Sequence, residues 1–129
     1  MKKLLLVVVF CFMVSSVFAQ EAAPSSNVTV KMMGIIIDNL CADAHKDNLS
    51  TFIKTHPKSC ALMPDCAASG YAVYSNGRLF KFDKDSTVKI EEFLKKEKSS
   101  LDVVITAKKI DSGLSLISIR NQEKREIPK

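Results

Sequence analysis

The absences in this chain of 129 residues are informative. It has no Cys-x-x-Cys, the spacing that lowers a thiol pKa in thioredoxin-like redox proteins. It therefore has no Cys-x-x-Cys-His for covalent haem either. A glycine-rich phosphate loop and a His-Glu-x-x-His are both missing. The usual sequence signs of redox enzymes, nucleotide-binding folds and zinc proteases are thus excluded, and a lone Cys with a lone His is a weak sign of a hydrolase. The expectation is a protein that is not an enzyme. No apolar run reaches the ~20 residues that a membrane-spanning helix needs. Charge of one sign forms no block: 19 basic and 14 acidic residues are interspersed, which argues against nucleic acid as a partner. There is no internal repeat and no low-complexity segment.

The N-terminus has a pattern of its own. A basic start (Met1-Lys2-Lys3) precedes an apolar run over residues 4–14, and Val17-Phe18-Ala19 is a small-residue cleavage pattern. These features predict a signal peptide over residues 1–19, hence a secreted or periplasmic protein with no membrane span after cleavage. Lipidation at Cys11 is disfavoured, because Phe10 stands where a small residue is required. Cleavage would leave about 110 residues, enough for one domain with one modest core. Loss of Lys2 and Lys3 would lower the net charge from +5 to +3.

Residues 20–27 (QEAAPSSN) read as a flexible lead-in, and residues 28–121 as the domain. Residues 28–37 (VTVKMMGIII) are rich in β-branched side chains and predict a strand, with Gly34 marking a bulge or bend. Residues 38–70 change character, with helix-like spacing at Ala42, Ala44, Leu49, Phe52 and Ile53 and a stop at Pro57. Asn39 or Asp47 is a candidate cap for that helix. Residues 70–75 and 78–83 are two short strands joined by Asn76-Gly77, the strongest short hairpin signal. Asp85 or Ser86 is expected to cap a helix running to about Lys98, with Ile90, Phe93 and Leu94 inward. Residues 101–110 and 114–120 are two more strands, and residues 122–129 a charged tail. The result is a mainly β chain with one or two helices, in the order strand, Cys/His insert, strand, strand, helix, strand, strand. That is the order of a five-stranded OB-like barrel, with an open α+β sheet as the alternative.

The insert over residues 38–70 holds both histidines and every cysteine beyond the signal peptide, as Cys41-x3-His45-x10-His56-x3-Cys60-x5-Cys66. The pattern Asp38-x2-Cys41, His56-x3-Cys60-Ala61 and Cys66-x3-Gly70 entering a strand resembles small exported bacterial OB-fold-like domains of unknown function. The resemblance covers residues 30 to 120. It implies a fold and a compartment, brings no activity, and leaves out His45 and Met63.

Three readings of the insert stand side by side. In the first, Cys41 with His45 and His56 with Cys60 are two ligand pairs for a tetrahedral metal, and Cys66 can replace a histidine. Zinc suits such a set, although the spacing departs from the usual two to four residues between cysteines. Copper(I) is the other candidate, because it favours sulfur and Met63 lies between Cys60 and Cys66. The metal-site residues are then Cys41, His45, His56, Cys60 and Cys66. In the second reading, two of the three cysteines form a disulfide and one thiol is left over, since export places them in an oxidising compartment. Closing a loop of about 20 residues stabilises by ~3 kcal/mol. In the third, a disulfide-stabilised barrel binds a peptide, glycan or partner protein through Tyr71, Tyr74, Phe80 and Phe82 on its sheet. Phe80 and Phe82 on one face of a short strand are equally well read as core.

Overall fold

The computed structural model describes residues 28–123. The expected signal peptide, the lead-in and most of the charged tail lie outside those residues. The elements follow in the order β1 (Thr29–Asp38), α1 (Asn39–Ala44), α2 (Leu49–Phe52), α3 (Lys58–Ala61), α4 (Pro64–Ala68), β2 (Tyr71–Ser75), β3 (Arg78–Lys81), α5 (Lys84–Leu94), β4 (Asp102–Ile110) and β5 (Gly113–Asn121). The fold is mainly β. All five strands are antiparallel in one sheet of order β3-β2-β1-β4-β5.

β1 is the hub. It pairs with β4 over residues 29–35 and with β2 over residues 35–38, so it changes partner near its middle. Gly34 sits at the change, without the expected bulge in the β1–β4 register. A Cβ there would lie 2.5 Å from the Tyr74 carbonyl oxygen and 2.6 Å from a Val73 methyl. The glycine is there because two backbones approach closely. The register shift of the sheet lies between Thr106 and Ala107, opposite β5.

The β2–β3 hairpin turns at Asn76-Gly77, whose φ values of 49° and 75° are both positive, as the tight turn requires. After β3 the chain leaves the sheet. Asp83 accepts a hydrogen bond from the Ser86 N–H at 2.8 Å and caps α5, two to three residues earlier than the sequence suggests. Ser86, Ile90 and Leu94 form the buried stripe of α5, four residues apart. The Ser86 hydroxyl accepts from the Leu116 N–H at 2.7 Å, tying the helix to β5.

The sheet is not closed into the expected barrel. Its edges, β3 and β5, meet at an isolated parallel bridge between Phe82 and Leu114, with the Asp83 N–H donating to the Leu114 carbonyl at 2.9 Å. β3 has four residues and gives way at once to the cap of α5, too little strand to make a seam along nine-residue β5. The helix count also differs from the one or two expected. The insert alone forms four, because the chain is broken repeatedly. Pro57 stands at the N-cap of α3 and Pro64 in the first turn of α4, where a missing N–H does no harm.

The main core lies between the sheet and α5 and includes Ile36, Tyr71, Val73, Ile90, Leu94 and Ile105. A smaller cluster of Ile37, Ala42, Ile53 and Ala72 packs the insert on the rest of the sheet. Tyr71 and Phe82 are buried in the main core, and Tyr74 and Phe80 are half-buried. These four rings therefore do not form the open stacking surface considered for a glycan or peptide. Among the described residues no helix is long and apolar enough to cross a membrane.

Candidate metal centre

The short helices of the insert have too few residues to be stable alone and are held by tertiary bonds. Asp38, the last residue of β1, is the N-cap of α1: its Oδ1 accepts from the Cys41 N–H at 2.8 Å. Ser69, just beyond α4, joins the two ends of the insert. Its hydroxyl accepts from the Leu40 N–H at 3.0 Å and donates to the Cys66 carbonyl at 2.6 Å. The Asn39 side chain donates to the Ser69 carbonyl at 2.9 Å. These bonds bring Cys66 of α4 beside Cys41 of α1. α3, which carries Cys60, is pinned twice. The buried Tyr71 hydroxyl donates to the Ala61 carbonyl at 2.8 Å, and the Lys58 ammonium reaches the carbonyls of Lys96, Glu97 and Ser99 at 2.9–3.3 Å. His56 precedes Pro57 in the link between α2 and α3, with its N–H bonded to the Phe52 carbonyl at 3.1 Å.

Two groups of donor atoms result: Cys41, His56 and Cys60, and Asp38, Cys41 and Cys66. Within each group the atoms lie within 4.8 Å of one another, and Cys41 belongs to both. Cys41 and Cys60 Sγ are 3.9 Å apart. A disulfide bond is about 2.0 Å long, so the two are not bonded. Cys41, Cys60 and Cys66 are all free, which corrects the disulfide expected among them. Two thiolates on a tetrahedral zinc, each about 2.3 Å from it, stand about 3.8 Å apart.

The centre is part-buried and incompletely bonded: Cys66 is buried, whereas Cys41 and Cys60 are half-buried. The side chains of Asp38 and His56 are 0% exposed. Asp38 Oδ2, His56 Nδ1 and His56 Nε2 are buried with no hydrogen-bond partner. Their nearest approach to each other is 3.2 Å, between Oδ2 and Nε2. A buried polar atom without a partner loses ~1–3 kcal/mol of solvation that nothing returns, so three together call for a ligand.

The titrating groups say the same. Burial pushes the Cys41 thiol up, and the bond to and charge of Asp38, then Cys60, push it further. Burial likewise raises Cys66, again with Asp38 adding to it. Burial lowers His56, and the attraction of Asp38 does not make up the difference. The imidazole is therefore neutral, and its contact with Asp38 is not an ion pair. A cation placed among these groups reverses the balance, since it favours thiolates and needs a neutral imidazole.

Of the residues singled out in the sequence, Cys41, His56, Cys60 and Cys66 come together, and His45 does not join them. Its N–H donates to the Cys41 carbonyl at 3.0 Å as the C-cap of α1, and its ring stacks on Phe52 with centroids 3.7 Å apart. Phe52 also packs against the His56 ring in a tilted arrangement, with centroids 5.3 Å apart. Met63 is 55% exposed. The residue that sequence reasoning missed as a donor is Asp38. Its signal is a carboxylate at the end of a strand, three residues before a cysteine, which reads as an ordinary helix cap.

No protein-family model, curated protein or solved structure matches this chain.

Proposed function

We propose that this protein binds a transition-metal ion through Cys41, His56, Cys60 and Cys66 and does so without catalysing a reaction. The observation that carries this reading is the His56 side chain, 0% exposed and grouped with the free sulfurs of Cys41 and Cys60, with no partner for Nδ1 and only Asp38 Oδ2, 3.2 Å away, near Nε2. Nδ1 has no partner at all, which is uncommon for a buried polar atom. An ion with a taste for nitrogen and sulfur satisfies the ring and gives the thiols a reason to converge. Zinc and copper(I) both have that taste. The raised thiols tell against a nucleophilic cysteine, which needs a lowered pKa.

The leader-like residues 1–19 support export, and metal ligation is one way to keep three thiols reduced in an oxidising compartment. The OB-like reading of the fold draws support from the strand order together with the parallel bridge of Phe82 and Leu114, which lies where β3 and β5 would close a barrel.

The test is titration of reduced protein with zinc and with copper(I), with thiols counted before and after. One equivalent of ion is expected to protect all three thiols of the mature chain. His56→Ala should weaken binding, and His45→Ala should leave it unchanged. Three thiols that stay reactive with excess metal would end the proposal.

A further inference from the structure

Asp38 is fully buried, yet its two oxygens differ. Oδ1 caps α1 by accepting from Cys41 N–H, while Oδ2 has no partner and lies 3.2 Å from His56 Nε2, which has none either. Capping alone explains Oδ1 and leaves Oδ2 unexplained. We infer that Asp38 is the specificity-determining residue of the centre, holding His56 so that Nδ1 faces the ion and raising the affinity for a divalent, zinc-class ion relative to copper(I). This rests on the metal reading above.

The orientation follows from geometry. Oδ2 lies 3.2 Å from Nε2, and once Nε2–H donates to it Nδ1 is the one nitrogen left to bind the ion. Histidine ligands commonly give their other N–H to a carboxylate, which fixes the tautomer and strengthens the donor. The ion preference follows from charge. Three thiolates and one carboxylate carry four negative charges in a site where Asp38, His56 and Cys66 are buried and Cys41 and Cys60 are half-buried. A divalent ion leaves two of them uncompensated, and a monovalent ion leaves three. Where burial limits screening by water, each extra charge is costly. Copper(I) held by two thiolates would keep the third sulfur protonated, but it would also leave His56 and Asp38 as they are, buried and unbonded.

Asp38→Asn tests this. The amide keeps the volume and the capping oxygen and removes the charge. Chelator competition should show zinc affinity lower by about 10–100-fold, the usual effect of losing such an outer partner, and copper(I) affinity changed by less. Equal losses for both ions, or no loss, would overturn the inference. Nitrogen-15 spectra of the zinc-loaded unmodified protein should show His56 bound through Nδ1 and protonated at Nε2. Ligation through Nε2 would overturn it as well, and this spectrum decides even where Asp38→Asn fails to fold. Failure of the unmodified protein to bind zinc or copper(I) is read first and sinks the metal reading itself.

Discussion

Asp38 and Asp83 perform the same local task at two strand ends. Each places Oδ1 2.8 Å from a backbone N–H three residues on and starts a helix there. They part at the rest of the carboxylate. Burial alone would raise Asp83, but hydrogen bonds from Ser86 and Ser115, with the charge of Lys89, outweigh it and hold the carboxyl below its ordinary value. A carboxyl depressed by folding stabilises the fold above its unfolded pKa, and that contribution is lost as pH falls through its folded pKa. Asp83→Ala is therefore expected to lose about 1 kcal/mol at neutral pH, the usual value of an N-cap. The difference should shrink as the medium is taken below about pH 4, where the unfolded carboxyl protonates. Urea unfolding of both proteins across that range is the measurement, and a difference constant with pH would refute the assignment. In the sequence, Asp83 and Asp38 look alike, and neither stands out as a cap against Asp85, Ser86, Asn39 or Asp47. Only burial separates them: the sequence shows a carboxylate before a helix but not whether its second oxygen meets water or a histidine ring.

Among the elements, the hairpin was the most legible and the insert the least. Asn76-Gly77 announces its turn because the chemistry is local: two adjacent residues must take positive φ. The helix-like spacing of the insert is also local, but it resolves into four helices of six residues or fewer, set by Pro57, Pro64 and bonds to distant residues such as Ser69 and Lys58. No pattern of 3.6-residue period survives such short runs. Gly34 and Gly77 turn this contrast into a prediction. A side chain at Gly77 meets nothing within 4 Å, so Gly77→Ala is penalised by its left-handed backbone alone, at about 1 kcal/mol. At Gly34 the backbone of Tyr74 and a Val73 methyl block even one methyl group, and β1 would have to move away from β2. Gly34→Ala should therefore destabilise more than Gly77→Ala in thermal unfolding. It should also weaken metal binding, because the displaced half of β1 ends in Asp38. Equal melting temperatures for the two variants would argue against the close approach.

For the whole molecule, the order of elements carried the sequence reading a long way. It identified the mainly β class and all five strands, because strand periodicity and turn residues are near-neighbour properties. It could not say whether the sheet closes. That depends on residues more than 30 positions apart, Phe82 and Leu114, which meet at one bridge. Nor could it say that the insert has a core of its own. The sheet and α5 share the larger apolar cluster, whereas α1 and α2 rest on the smaller one and border the unbonded Asp38 and His56. α3 is different, since Ala61 lies in the main core and the bonds from Tyr71 and Lys58 hold it there whatever occupies the centre. If the centre holds an ion as proposed, withdrawing it should thus loosen the insert unevenly. With a chelator present, amide hydrogen exchange is expected to quicken across α1 and α2, where local opening requires little more than losing the smaller cluster. α3 should respond less, and β4, buried between β1 and β5, not at all. Cys41 would then be released from the centre before Cys60. Exchange that rises equally in β4 and α1 would mean the ion holds up the entire fold, and exchange that does not change in α1 would mean that no ion is held there.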